Sequence, residues 1–127
     1  MSFHIVKIAI VGDGAVGKTS LLTKYCNGEY CGDYIPTTMD MYEKLVHDGK
    51  GHNIKFQFFD MAGQEDYKRL REHYYDDTID MVILAYAINN QSSFLNAQSK
   101  WIPEIKSNLS IRDKPLIVIG TKLDWQD

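Results

Sequence analysis

Apolar residues along the chain fall into short runs, separated by polar stretches rich in glycine. Ile5-Val6-Lys7-Ile8-Ala9-Ile10-Val11 is almost continuously apolar, the pattern of a parallel strand covered on both faces. Ser20-Leu21-Leu22-Thr23-Lys24-Tyr25 reads as the opening of a helix that ends near Asn27-Gly28, where glycine favours a C-cap. From there to Asp40 the residues are mostly polar and include Gly32 and Pro36, which predicts a long irregular segment of the kind that carries function. Met41 to Asp48 predicts an edge strand, joined through Asp48-Gly49-Lys50-Gly51-His52-Asn53 to a second strand, Ile54 to Phe59. In the latter, Ile54, Phe56 and Phe58 alternate with Lys55 and Gln57, giving a hairpin with one apolar face.

Asp60 is expected just beyond that strand, Met61 to Asp66 as loop, and the charged and aromatic stretch to Tyr75 as weakly helical. Met81 to Tyr86 is a further buried strand, and Ser92-Ser93 supplies N-cap candidates for a helix carrying Phe94, Leu95, Trp101 and Ile105. Pro103 should kink or end that helix locally. Pro115 to Gly120 is the last apolar strand, followed by Thr121-Lys122-Leu123-Asp124. Strands alternating with helices after one hairpin predict an α/β fold in a single domain over residues 1–127. Its sheet is mostly parallel with one antiparallel edge hairpin, and helices lie on both faces. In such a sheet, ligands sit outside the carboxyl ends of the strands. The segments after Val11, after Phe59 and after Gly120 all fall on that one rim.

The segment after the first strand holds the most specific chemistry. Gly12-Asp13-Gly14-Ala15-Val16-Gly17-Lys18-Thr19 fits G-x-x-x-x-G-K-[ST] between a strand and a helix, the setting that aims a helix N-terminus at an anion. Glycines let successive N–H groups curl inward around phosphate oxygens, Lys18 brings a flexible point charge, and the Thr19 hydroxyl can ligate Mg²⁺. Asp60, across from this loop, is placed to support Mg²⁺ through water; standing alone it would read as a turn cap. Gly63 can bring a backbone N–H to a terminal phosphate, and Gln64 can orient a water for in-line attack. Thr37 offers a hydroxyl to the Mg²⁺ shell when a third phosphate is present. Asp124 pairs with the two adjacent donors on the Watson–Crick edge of guanine, whereas adenine would turn a lone pair toward it; burying that mismatch costs about 1–3 kcal/mol. The Lys122 stem can lie along the purine face.

Composition narrows the function classes. The chain of 127 residues carries a net charge of −3 with scattered basic residues, which argues against a nucleic-acid surface. No apolar run reaches membrane-spanning length, and Met1-Ser2-Phe3-His4 lacks a signal-peptide pattern. Cys26 and Cys31 read as reduced thiols, and a cytoplasmic location without a membrane anchor is expected. The four histidines have no ligand spacing and read as surface residues.

Together these residues resemble the small GTPases of the Ras superfamily. Gly12 to Thr19 matches their phosphate loop, Asp60-Met61-Ala62-Gly63-Gln64 their D-x-A-G-Q segment, and Thr121-Lys122-Leu123-Asp124 their [NT]-K-x-D base motif. Tyr34-Ile35-Pro36-Thr37, Gly63 to Tyr67 with Arg69-Leu70-Arg71, and Lys100-Trp101-Ile102-Pro103-Glu104 are similar to the Rho/Rac branch.

The resemblance implies a P-loop NTPase fold, GTP hydrolysis to GDP with Mg²⁺, and two shapes read by different partners. It implies nucleotide contacts from Asp13, Gly14, Ala15, Val16, Gly17, Lys18, Thr19, Ser20, Tyr30, Tyr34, Pro36, Thr37, Ala62, Gly63, Thr121, Lys122 and Asp124, with Gln64 catalytic. Thr19, Thr37 and Asp60 would serve the metal. Exchange factors, activating proteins and effectors would bind through 28–42 and 61–76, with Phe59 where exchange factors discriminate among family members.

Against the family pattern, Met61 replaces a threonine, Thr38, Met39 and Met41 alter the effector loop, and Glu72-His73 replaces an apolar pair. Neither the glycine loop nor residues 28–40 contain arginine, so intrinsic turnover should be slow, roughly 10⁻⁴ s⁻¹. The family pattern continues past residue 127 into a sixth strand, a loop behind the guanine and a final helix. Leu116 to Ile119 is therefore expected as an exposed apolar edge, and the chain alone as marginally stable. Two rival readings are a GTP-binding interaction module with negligible hydrolysis and a P-loop small-molecule kinase; the latter has no use for Gln64 or for Lys122 with Asp124.

Overall fold

The computed structural model describes residues 3–14, 16, 18–25, 39–61 and 68–121, with Thr19, Ser20, Thr23, Lys24, Met39, Asp40 and Leu70 described as backbone only. The elements are β1 (His4–Val11), α1 (Lys18–Tyr25), β2 (Met39–His47), β3 (Asn53–Met61), α2 (Lys68–Tyr74), β4 (Met81–Ala87), α3 (Gln91–Asn96), a π-helical turn (Ala97–Trp101), α4 (Ile102–Lys106) and β5 (Leu116–Thr121). The described strands form one sheet in the order β2-β3-β1-β4-β5. β1 runs parallel to β3 and β4, β5 runs parallel to β4, and β2 is antiparallel to β3. The expected mostly parallel sheet with one antiparallel edge hairpin is therefore present.

Side-chain alternation divides the core between the two sheet faces. Ala9 and Val11 of β1 and Val82 and Leu84 of β4 pack with Met61, Tyr75, Ile79, Ala97, Trp101, Ile105 and Ile111. Ile8 and Ile10 point the other way, toward Leu22 of α1, Tyr42 and Phe58. Helices thus cover both faces. β1 is buried only over its second half, and Ile5 is exposed near its start.

Several boundaries differ from those expected, each for a local reason. β2 begins at Met39, so Met39 and Asp40 belong to the ladder, facing Met61 and Asp60, rather than to the irregular segment. β3 continues through Asp60, which pairs with Ile10 of β1 on one side and with Asp40 on the other. α2 forms despite weak helical periodicity because Arg71 and Tyr75 are drawn into the interior by Glu104. The helix after β4 is capped by Asn90, whose side chain accepts from the Ser93 N–H at 3.2 Å, and not by Ser92 or Ser93. Ser93 instead turns its hydroxyl inward, accepting from Ala87 N–H at 2.9 Å.

Pro103 does not end the helix, although the regular α pattern is interrupted just before it. It lies in the first turn of α4, directly after the π turn, where Ile102 N–H reaches back to the Ala97 carbonyl. A wider turn is a common accommodation where the ordinary ladder is interrupted. Of the apolar residues expected on this helix, Trp101 and Ile105 are buried whereas Phe94 and Leu95 face outward. Among the described strands β5 lies at one edge of the sheet, with Ile117 and Val118 exposed. All four histidines are on the surface, as expected. The first helix's end, both cysteines and the segment to Thr38 lie outside the described residues.

Candidate functional site

Parallel pairing of β3, β1, β4 and β5 brings their carboxyl ends to one rim. The chain leaves β1 through Gly12, whose backbone has φ +147°, a value that L side chains rarely adopt. A Cβ there would lie 2.3 Å from the Ala85 carbonyl oxygen of β4. Glycine is required at this position by both conformation and space. A Cβ at Gly14 would meet nothing within 4 Å, so this part of the loop faces open space.

The loop is pinned from within. The Val16 side chain is buried in a small cluster with Ala85 and Ala87 of β4, against which Ile119 of β5 packs. What Val16 can offer a ligand is therefore backbone. Thr121 closes β5 and its hydroxyl donates to the Val16 carbonyl, with the Tyr86 carbonyl a second acceptor at 3.0 Å. This contact spans 105 residues of sequence and fastens the start of the [NT]-K-x-D segment to the glycine loop. Thr121 was expected after the strand; it is the strand's last residue because its backbone still pairs with Ala87.

Lys18 opens α1 and is only 7% exposed. Its ammonium donates to the carbonyls of Gly12 and Asp13, both at 3.0 Å. Burial pushes its pKa below the usual lysine value, while the nearby Asp60 and Asp13 carboxylates pull it back. Asp60 is itself only 8% exposed. A buried ammonium and a buried carboxylate near one loop are costly to keep, and such groups concentrate at functional sites. Met61 sits next to Asp60 with its side chain in the core, so the methionine here serves packing.

The Asp13 carboxylate is occupied on its other side. Trp101 Nε1–H donates to one oxygen at 2.8 Å and Asn96 Nδ2 to the other at 2.7 Å. Trp101 in turn lies against Arg71, whose guanidinium carbon is 4.5 Å from the ring centroid. Arg71 donates to both oxygens of Glu104, at 3.0 and 2.8 Å, and the Tyr75 hydroxyl donates to the same carboxylate at 2.6 Å. The sequence reading gave Arg71 and Glu104 only as points of resemblance, placed Trp101 also among the apolar residues of a helix, and assigned no role to Asn96 or Tyr75. The available signal was the charge of Arg71 and Glu104 amid apolar neighbours, but nothing in the sequence pairs residues 33 apart.

Among the described residues no cluster of three metal-ligating side chains occurs. Mg²⁺ does not need one, because it keeps several waters and takes its remaining ligands from phosphate and one or two oxygens. The buried Asp60 carboxylate, beside the start of α1, suits that donor set. Ala15, Gly17, Tyr30, Tyr34, Pro36, Thr37, Ala62, Gly63, Gln64, Lys122 and Asp124 lie outside the described residues, and Thr19 and Ser20 are placed by backbone alone, in the first turn of α1. No helix among the described residues is long and apolar enough to cross a membrane.

The family model for the Ras family matches residues 7–127. A similar curated protein is the GTP-binding protein RHO4 of Eremothecium gossypii, 40% identical over 119 residues. The match covers 94% of this chain and 45% of that relative's length. The motif order, the sheet and the match over nearly the whole chain agree: this chain belongs to the Ras family, and within it is Rho-like.

Proposed function

We propose that the carboxyl rim binds GTP or GDP with Mg²⁺, hydrolyses GTP, and changes shape with the nucleotide. The observation that carries this reading is the Thr121–Val16 hydrogen bond, which joins the base-side strand end to the phosphate loop. Phosphates would rest on the backbone N–H groups from Asp13 to Ser20. Lys18 would exchange its bonds to the Gly12 and Asp13 carbonyls for phosphate oxygens without leaving its buried position. Thr19 and, in the GTP form, Thr37 would hold the metal, with Asp60 acting through water; the ion supplies neutralisation of charge developing on the phosphates. Tyr30, Tyr34 and Pro36 would flank the nucleotide, Ala62 and Gly63 the terminal phosphate, and Gln64 the attacking water. Lys122 and Asp124 would select guanine. Exchange factors, activating proteins and effectors, as partners for 28–42 and 61–76, would read the two shapes, in a signalling role at cytoskeleton or membrane.

Denaturing the purified chain and identifying the released nucleotide tests the binding half. Guanine nucleotide near one per chain is expected, and adenine nucleotide would overturn the base assignment. Single-turnover release of γ-phosphate tests the chemistry. A slow but measurable rate is expected, falling in Gln64→Leu while GTP stays bound. A wild-type chain that retains GTP without phosphate release would instead be an interaction module.

A further inference from the structure

We propose that Asp13 is a positioning residue for the phosphate loop, and that Trp101 is the joint through which α2 sets the loop's position. This rests on the nucleotide-binding reading above. The Asp13 carboxylate has two oxygens and two donors, Trp101 Nε1 at 2.8 Å and Asn96 Nδ2 at 2.7 Å, from different turns of one helical segment. Two convergent donors on a planar acceptor fix the orientation of that carboxylate, and its Cα is the second residue of the loop. The carbonyl of the same residue accepts from the Lys18 ammonium at 3.0 Å. A shift of Asp13 therefore moves a phosphate-binding backbone and the resting place of the loop's cation together.

Trp101 does not hold Asp13 in isolation. The indole is fully buried, and the guanidinium of Arg71 lies 4.5 Å from its centroid. Arg71 belongs to α2, and its planar fork is locked on both oxygens of Glu104, which stands in α4. The chain of contacts runs from α2 through the buried Arg71 and Trp101 side chains to Asp13. The π turn between α3 and α4 buries Ala97 and Trp101, and Asn96 is the residue just before it, so the two donors to Asp13 bracket the stretch where the helix widens. Any change in α2, which directly follows residues 62–67, would reach the loop by this route. By linkage, nucleotide in the loop would bias α2 in return.

The release of mant-GDP from the full chain, chased by excess GDP with Mg²⁺, reads the proposal. Trp101→Phe keeps the buried ring but loses the N–H, and is expected to speed release about tenfold, the usual effect of one hydrogen bond to a charged acceptor. Asn96→Ala, at a half-buried site, is expected to speed it several-fold and covers the case in which Trp101→Phe does not fold. The double variant Asp13→Asn with Trp101→Phe should be no faster than the faster single one. Ile79→Val, a core change on the same sheet face, should lower the melting temperature and leave release unchanged. Additive effects, or an equal effect of Ile79→Val, would overturn the proposal.

A second readout needs no nucleotide. The amide resonances of Gly12 and Gly14 and the Trp101 indole N–H should all shift in Arg71→Lys, which keeps the charge but loses the fork. Unmoved loop resonances would overturn the joint. Uptake of mant-GDP by the wild-type chain is a separate outcome: its absence would sink the nucleotide reading, while the resonances still decide whether α2 sets the loop.

Discussion

The two ends of the sheet treat charge in opposite ways. At the carboxyl rim, Lys18, Asp60, Arg71 and Glu104 are all buried. At the far end, in the turn between β2 and β3, the Asp48 carboxylate accepts from the His52 ring at 2.5 Å, with side chains 40% and 75% exposed. A charge in water costs nothing to keep and contributes little when paired. A buried one is costly unless every partner is present. The rim therefore concentrates energetic risk where the loop, α1 and α2 meet, and the hairpin end does not. A fold that needed only stability could fill the rim with apolar side chains, so the retained charges point to work done there.

The largest expected break comes from Glu104→Ala. It removes the carboxylate that accepts from both Arg71 and the Tyr75 hydroxyl inside the protein, and should cost about 3–5 kcal/mol, read from urea unfolding. Replacing the pair together, Arg71→Met with Glu104→Leu, should recover most of that loss, since neither charge of the pair then remains. Nucleotide retention should not recover with it, because the contact on Trp101 is gone. A double variant as unstable as Glu104→Ala would show that the rim charges are ordinary structural props.

Next in size is Gly12→Ala. The added Cβ meets the Ala85 carbonyl oxygen at 2.3 Å and must adopt φ +147°. Strain and overpacking together should cost roughly 3 kcal/mol. A denaturation midpoint unchanged from wild type would mean that the loop moves freely off β4.

These two positions show unequal legibility. Gly12 was readable because a spacing rule and a strand–helix setting fix what glycine is for, and the strands themselves were legible from continuous or alternating apolar runs. The rim was legible too, since parallel strands end on one side. The Arg71–Glu104 pair was not, because long-range pairing leaves no local period. Boundaries slipped where backbone pairing continued past the apolar run, as at Asp60 and Thr121. The N-cap slipped because three polar residues, Asn90, Ser92 and Ser93, all suit a cap, and only the chance for Ser93 to bond Ala87 decides between them.

Tyr75→Phe is a gentler probe of the same network. Burial holds the Tyr75 hydroxyl far above its ordinary pKa of 10.0, with the Glu104 charge and hydrogen bond adding to the effect. The unfolded tyrosine loses its proton near that ordinary value, whereas the folded one keeps it. Above it the unfolded state binds fewer protons, so the contribution of Tyr75 is complete at lower pH and drains away as pH rises past about 10. Tyr75→Phe should cost about 1–2 kcal/mol at neutral pH and flatten the alkaline fall in stability. An unchanged alkaline limb in the variant would assign that fall to other groups.

The smallest expected effect lies at the other end of the comparison. Asp48 accepts from Lys50 N–H at 2.7 Å and His52 N–H at 3.1 Å, and its carboxyl pKa is lowered first by the Lys50 contact. Those bonds close a turn whose other requirement, positive φ at Gly49 and Gly51, is met by glycine alone. Asp48→Asn keeps an acceptor for both N–H groups and removes only the charge. His52→Ala removes the ring contact to Asp48 and leaves the turn. Neither should move the melting midpoint at pH 7 beyond its reproducibility, in low salt or high. A clear loss in either variant, relieved by the other, would mean that charge at the exposed end carries weight as it does at the rim, and the contrast between the two ends would no longer explain why the buried charges are kept.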